Sequence, residues 1–132
     1  MVKFFEIPAG IEGTSRFLRG VAELTGNQQL PGIIEREEAR VLPRLRKIQA
    51  RFREEPVRAL LVTGPSNEMS IGKILAEFGA EVIIVPAMRN AFARQEQNIL
   101  RDRYGSRITF HEADFDTVAQ LTDVYKPDVV FA

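Results

Sequence analysis

The stretch that most constrains this chain runs from Val57 to Gly79: an apolar run, a short polar loop, then an amphipathic segment closed by glycine. Arg58 to Val62 reads R-A-L-L-V, continuous enough for a strand buried on both faces. Thr63-Gly64-Pro65-Ser66-Asn67 turns the chain, and Ser66 or Asn67 can cap the helix that follows. In that helix Ile71, Ile74, Leu75 and Phe78 fall at i, i+3, i+4 and i+7, an apolar stripe ended by the left-handed stop at Gly79. Glu81 to Val85 is a second β-branched run, and a parallel partner strand needs just such a helical crossover. With further runs at 107–111 and 128–132, the pattern predicts a Rossmann-like α/β fold: a four-stranded parallel sheet, order 3-2-1-4, with helices on both faces.

Ahead of this unit lies a helical region, so the chain divides into an N-terminal part, 1–56, packed on a sheet domain, 57–132. Lys3 to Ile7 is an extended entry segment ended by Pro8, and Gly10 and Gly13 mark a turn. Thr14 or Ser15 can cap a helix with Phe17, Leu18, Val21 and Leu24 on one face and Gly26 as its stop. Pro31 suits the first turn of a long charged helix whose apolar positions are Ile34, Val41, Leu45, Ile48 and Phe52. Pro43 inside it predicts a kink or a division into two helices. In the sheet domain a rather polar helix spans Ala91 to Tyr104 on the line of Phe92, Ile99 and Leu100. Asp114 or Asp116 then caps a last helix closed by Lys126-Pro127.

Composition removes several classes of function. The 132 residues include no cysteine, which excludes a disulfide framework, a thiolate metal site or a cysteine-ligated iron–sulfur cluster built from this chain alone. Eighteen basic residues balance eighteen acidic ones, leaving no net field to attract nucleic acid or an anionic membrane. No run approaches the roughly 20 apolar residues of a membrane span, and no signal peptide is evident, so a soluble cytoplasmic protein is expected. The sequence stops within its last strand, at Val130-Phe131-Ala132, which reads as a domain cut from a longer protein.

Three clusters could carry chemistry. Thr63 to Glu68 lies where doubly wound folds cradle phosphate, but it has one glycine, lacks the G-x-G-x-x-G fingerprint, and Pro65 removes a backbone donor, so it reads as a capped turn, with phosphate binding the alternative. His111-Glu112-Ala113-Asp114-Phe115-Asp116 gathers an imidazole and three carboxylates that either ligate a metal or cap the next helix; no metal site is assigned. Arg89 and Arg94 flank the loop after the second strand and either meet an anion or stay solvated. On a parallel sheet the loops after the strands share one rim, so Gly64–Asn67, Met88–Asn90 and His111–Asp114 should converge. Ser66, Asn67, Arg89, Asn90 and His111 are the pocket-facing candidates.

The order of segments carries a resemblance. Ile7-Pro8-Ala9-Gly10-Ile11-Glu12-Gly13-Thr14, followed by Phe17-Leu18, resembles the P-x-G-x-x-G-T-x-x-F-L segment of the nitrogenase component 1 family. Glu35 to Leu45 resembles the E-x-x-R helix of that family, Ile74 to Val82 its L-x-E-x-G-x-E-V step, and Lys126 to Val130 its K-P-D-hydrophobic strand. The family includes molybdenum–iron protein subunits, cofactor-assembly scaffold subunits and dark-operative protochlorophyllide reductases. Pro65-Ser66-Asn67-Glu68 departs from the basic loop of the molybdenum–iron α subunit, and Tyr104-Gly105-Ser106-Arg107 looks more like the β-type subunits.

The resemblance implies a middle domain of an oxidoreductase subunit, inert by itself, working in electron-driven reduction or metallocofactor assembly. It also implies a paired homologous subunit and an ATP-dependent reductase component as partners. An iron–sulfur cluster or metallocluster belongs to the full-length parent, with no cofactor held by this segment. Two other readings stand beside it: a Rossmann-like module binding a nucleotide or small anion, and an interaction domain that docks through the segment from Thr14 to Arg53.

Overall fold

The computed structural model describes residues 3–64, 67–112 and 116–132. Two helices, α1 (Gly10–Thr25) and α2 (Leu30–Glu54), precede the alternation β1 (Arg58–Leu61), α3 (Asn67–Phe78), β2 (Glu81–Ile84), α4 (Ala91–Tyr104), β3 (Ile108–Phe110), α5 (Val118–Tyr125) and β4 (Val129–Phe131). The sheet is parallel throughout, in the expected order β3-β2-β1-β4. Leu60 pairs with Ile83 on one side and Val130 on the other, so the sheet is centred on the first apolar run. No helix among the described residues is long and apolar enough to cross a membrane.

The local expectations fail in instructive places. Helix α1 starts at Gly10, four residues ahead of Thr14, with Ala9 at its N-cap and no capping side chain of its own. Helix α2 runs unbroken through Pro43, which lies on its exposed side, so the division into two helices does not occur. Helix α5 is capped by Thr117 in a reciprocal capping box with Gln120, not by Asp116. The alternative cap, Asp114, lies outside the described residues.

The largest correction concerns α3. Its buried positions are Glu68, Met69, Gly72, Lys73, Ala76 and Glu77, while Ile71, Ile74, Leu75 and Phe78 are only half-buried. The reason is that α3 is covered on two sides. Toward the sheet it presents Gly72 and Ala76; a Cβ on Gly72 would come within 2.6 Å of Ile84 Cδ1, so any side chain there would push Ile84 or the helix aside. Toward α1, α4 and the N-terminal segment it presents charge. Helix α4 behaves likewise, burying Ala93, Glu96, Gln97 and Leu100 and leaving Phe92 exposed.

Two apolar clusters flank the sheet. Leu61, Val82, Ile84 and Ile108 pack with Met69, Ala76 and Leu100 on the face covered by α3 and α4, with Phe52 of α2 against them. On the opposite face Leu60 and Ile83 meet Leu121 of α5, with Val62, Val85 and Tyr125 around them.

Candidate functional site

The loops that follow β2 and β3 meet at the carboxyl rim of the sheet. Arg89 donates from Nη2 to the carbonyl of Glu112 at 3.3 Å, so the two loops are joined across a gap of 23 residues. Beneath this contact lies a cavity of about 220 Å³ lined by Pro86, Arg89, Arg94, Gln97 and Glu112. Asn67 is exposed at the start of α3. Asn90 is the N-cap of α4, its Oδ1 accepting from Ala93 N–H at 2.8 Å. Ser66 lies outside the described residues.

His111 has both ring nitrogens engaged. Nδ1 is 2.7 Å from the Tyr125 hydroxyl, and Nε2 is 2.7 Å from Asp116 Oδ2. Asp116 accepts only, so the neutral ring carries its proton on Nε2 and Nδ1 accepts from the phenol. Tyr125, His111 and Asp116 thus form a hydrogen-bonded relay between α5 and the end of β3. The pairing needs the β3–α5 crossover to return Tyr125 beside β3, which spacing alone does not reveal.

A second polar constellation escaped the sequence reading entirely. Lys73 of α3 and Glu96 of α4 are both fully buried, with Nζ and Oε2 2.8 Å apart. Lys73 also reaches Glu6 Oε2 at 3.2 Å and the Ile7 carbonyl at 2.9 Å, and Glu96 Oε1 accepts from Ile7 N–H at 2.9 Å. Arg103 donates to both Glu6 oxygens, at 3.1 and 2.9 Å. Burial works against the Arg103 charge, yet its hydrogen bonds to Glu6 together with the attraction of the Glu6 and Glu12 carboxylates outweigh that and hold the guanidinium above its ordinary value. The entry segment is therefore clamped onto α3 and α4 by charge.

Glu77 completes the arrangement. Its two oxygens accept from Ile11 N–H and Glu12 N–H, each at 2.8 Å, so a carboxylate of α3 caps the N-terminus of α1. Gly10 makes this possible: its φ is +74°, and a Cβ there would lie 2.6 Å from Glu77 Oε2. Burial, reinforced by the Glu77 charge, raises the neighbouring Tyr104 hydroxyl above its ordinary value. Gly10 and the glutamate of L-A-E-F-G are two halves of one contact, in which the carboxylate meets Ile11 N–H across 66 residues. Two larger grooves adjoin these charges, one of about 420 Å³ at Phe4, Glu6, Ile99 and Arg103 and one of about 650 Å³ along Ile11, Glu38, Glu77 and Tyr104, but neither is lined by a residue of the loops that follow the strands, where open parallel sheets bind their ligands, so the rim cavity is the candidate site.

These side chains do not suit a metallocluster. The chain has no thiolate, its single imidazole is committed at both nitrogens, and no group of three or more His, Asp or Glu among the described residues could hold a metal ion. No curated protein and no solved structure matches the chain significantly. A family model described as nitrogenase component 1 type oxidoreductase matches residues 2–132. With its glycine-rich entry segment locked onto α3 and its parallel sheet in the expected order, this chain belongs to the nitrogenase component 1 type oxidoreductase family.

Proposed function

We propose that the chain is the middle domain of a nitrogenase-like component 1 subunit and that it contributes a pocket wall to electron-driven reduction or metallocofactor assembly. The observation that carries this reading is the rim cavity, where Arg89 and Glu112 of the loops after β2 and β3 and Arg94 and Gln97 of α4 line one concave surface. Guanidinium groups bind carboxylate and phosphate in a planar, bidentate way, so this wall is suited to an anionic group on a substrate or cofactor. The Tyr125–His111–Asp116 relay stands at the same end of the sheet and can hold or pass a proton.

Cluster ligands and electrons would come from other parts of the parent subunit, from a paired homologous subunit and from an ATP-dependent reductase component. Purified alone without oxygen, the chain should carry no stoichiometric iron; stable incorporation of a cluster would overturn the assignment. In the full-length parent, Arg89→Ala should lower reductase or cofactor-transfer activity about tenfold or more, the size of one lost charged contact of about 1.5–3 kcal/mol, with thermal stability unchanged. If Asn67→Ala, Arg89→Ala and His111→Ala all keep wild-type activity and stability, the rim is not the site.

A further inference from the structure

We propose that a single water molecule is bound inside the protein between Glu68 and Glu96, where it bridges α3 to α4. Glu68 is 1% exposed; its Oε1 accepts from Ala87 N–H at 3.2 Å, while its buried Oε2 has no partner among the described residues. Glu96 Oε2 touches Lys73 Nζ as an ion pair but accepts no aligned hydrogen bond. Both carboxylates line the same small cavity, of about 20 Å³, completed by Ile7, Met69, Met88, Phe92 and Ala93.

The chemistry of the walls identifies the occupant. At the walls, Ile7 N–H is spent on Glu96, Ala93 N–H on Asn90 and the Ile7 carbonyl on Lys73. The two side-chain oxygens left open, Glu68 Oε2 and Glu96 Oε2, are both carboxylate acceptors. A guest that bridges them must therefore donate hydrogen bonds. A water needs at least about 10–15 Å³ and two or more polar partners, and this space and these two acceptors meet that requirement for one molecule. A metal cation would require a shell of several oxygens, which two carboxylates among apolar side chains do not supply.

Such a water makes the polar chain continuous. It would run from the rim loop at Ala87 through Glu68, the water, Glu96 and Lys73 to Ile7 and Glu6. Arg89 lies two residues beyond Ala87, so the same bridge positions the loop that carries it.

A high-resolution crystal structure of the chain decides the matter. The expected result is one ordered water at about 2.7–2.8 Å from both Glu68 Oε2 and Glu96 Oε2. An empty cavity, or a direct Glu68–Glu96 contact closing it, would overturn the proposal. Thermal unfolding in the chlorides of sodium, potassium and ammonium at equal ionic strength should give the same midpoint. A midpoint raised in one salt, or an anomalous peak in the cavity after a rubidium soak, would mean a cation and equally overturn it. Oxygen-17 relaxation should count one more long-lived internal water in the wild type than in Glu68→Met; equal counts would go against the assignment. If that variant does not fold, the wild-type measurements suffice.

Discussion

The two faces of the sheet are built on different terms. One carries α3 and α4 directly, with α1, α2 and the entry segment behind them, and there even the interior holds charge: Lys73 and Glu96 at 0% exposure, with Glu6, Glu68 and Glu77 close to fully buried. Among the described residues the other face is covered by α5, and its apolar cluster of Leu60, Ile83 and Leu121 is bordered by exposed Val124, Val129 and Val130. The crowded face uses buried polar pairs to fix how several layers meet. The sparse face has an apolar buried cluster and keeps its polar contacts, such as Tyr125–His111–Asp116, at its edge and partly exposed, which is less particular about geometry.

The sharpest test removes the centre of the crowded face. Lys73→Met leaves Glu96 without its cation and Glu6 with Arg103 alone, in a buried site, and should cost about 3–5 kcal/mol in denaturant unfolding. Adding Glu96→Leu should recover part of that loss, because a buried ion pair replaced as a whole by apolar groups is often close to neutral. On the sparse face, Leu121→Ala should cost about 2 kcal/mol, the low end for such truncations, since exposed neighbours can settle into the space. Equal losses at Lys73 and Leu121 would mean that the two faces do not differ in the way described.

That contrast also marks what the sequence could reveal. The strands, their order and the extent of α4 were legible because apolar runs and turn residues act locally, and β1 and β2 are buried on both faces as continuous runs should be. The stripe of α3 was misread because apolar periodicity assumes one buried face, and α3 has two, one requiring Gly72 and the other requiring Lys73 and Glu77. The start of α1 was misplaced for a related reason: its cap is supplied by Glu77, 66 residues away, so no local signal marks it. Among the rim residues, Arg89 was readable as a loop arginine, whereas the partners of His111 come from α5 and the approach to it and depend on the tertiary return of that helix.

The Gly10–Glu77 contact offers an intermediate test, at the junction of α1 with α3. Gly10→Ala forces a side chain into a left-handed backbone and against the capping carboxylate, and should cost about 1–2 kcal/mol from the backbone alone. Glu77→Ala removes two hydrogen bonds accepted by a charged group and should cost about 2 kcal/mol. The double variant should cost less than the two together, because the clash at Gly10 disappears with the carboxylate. Strict additivity would show that the glycine and the glutamate act separately.

The smallest effect lies furthest from the sheet, where α1 meets α2. Glu38 of α2 accepts from the Ser15 hydroxyl and from Arg19 Nη2, the latter at 2.9 Å, and these bonds, Ser15 first, hold its carboxyl below the ordinary glutamate value against the opposing pull of burial. A folded-state value below the unfolded one means that folding favours the carboxylate. Its contribution is therefore present above the ordinary glutamate value and is lost as the pH falls through the depressed folded value. The side chain is still 24% exposed, so solvent keeps the interaction small, under about 1 kcal/mol at neutral pH. Glu38→Gln should be slightly less stable than the wild type at neutral pH and should converge with it in acid, as measured by denaturant unfolding across that range. Contributions common to both proteins cancel in the difference. Parallel stability curves would detach Glu38 from the α1–α2 contact and leave Ser15 buried there for packing alone.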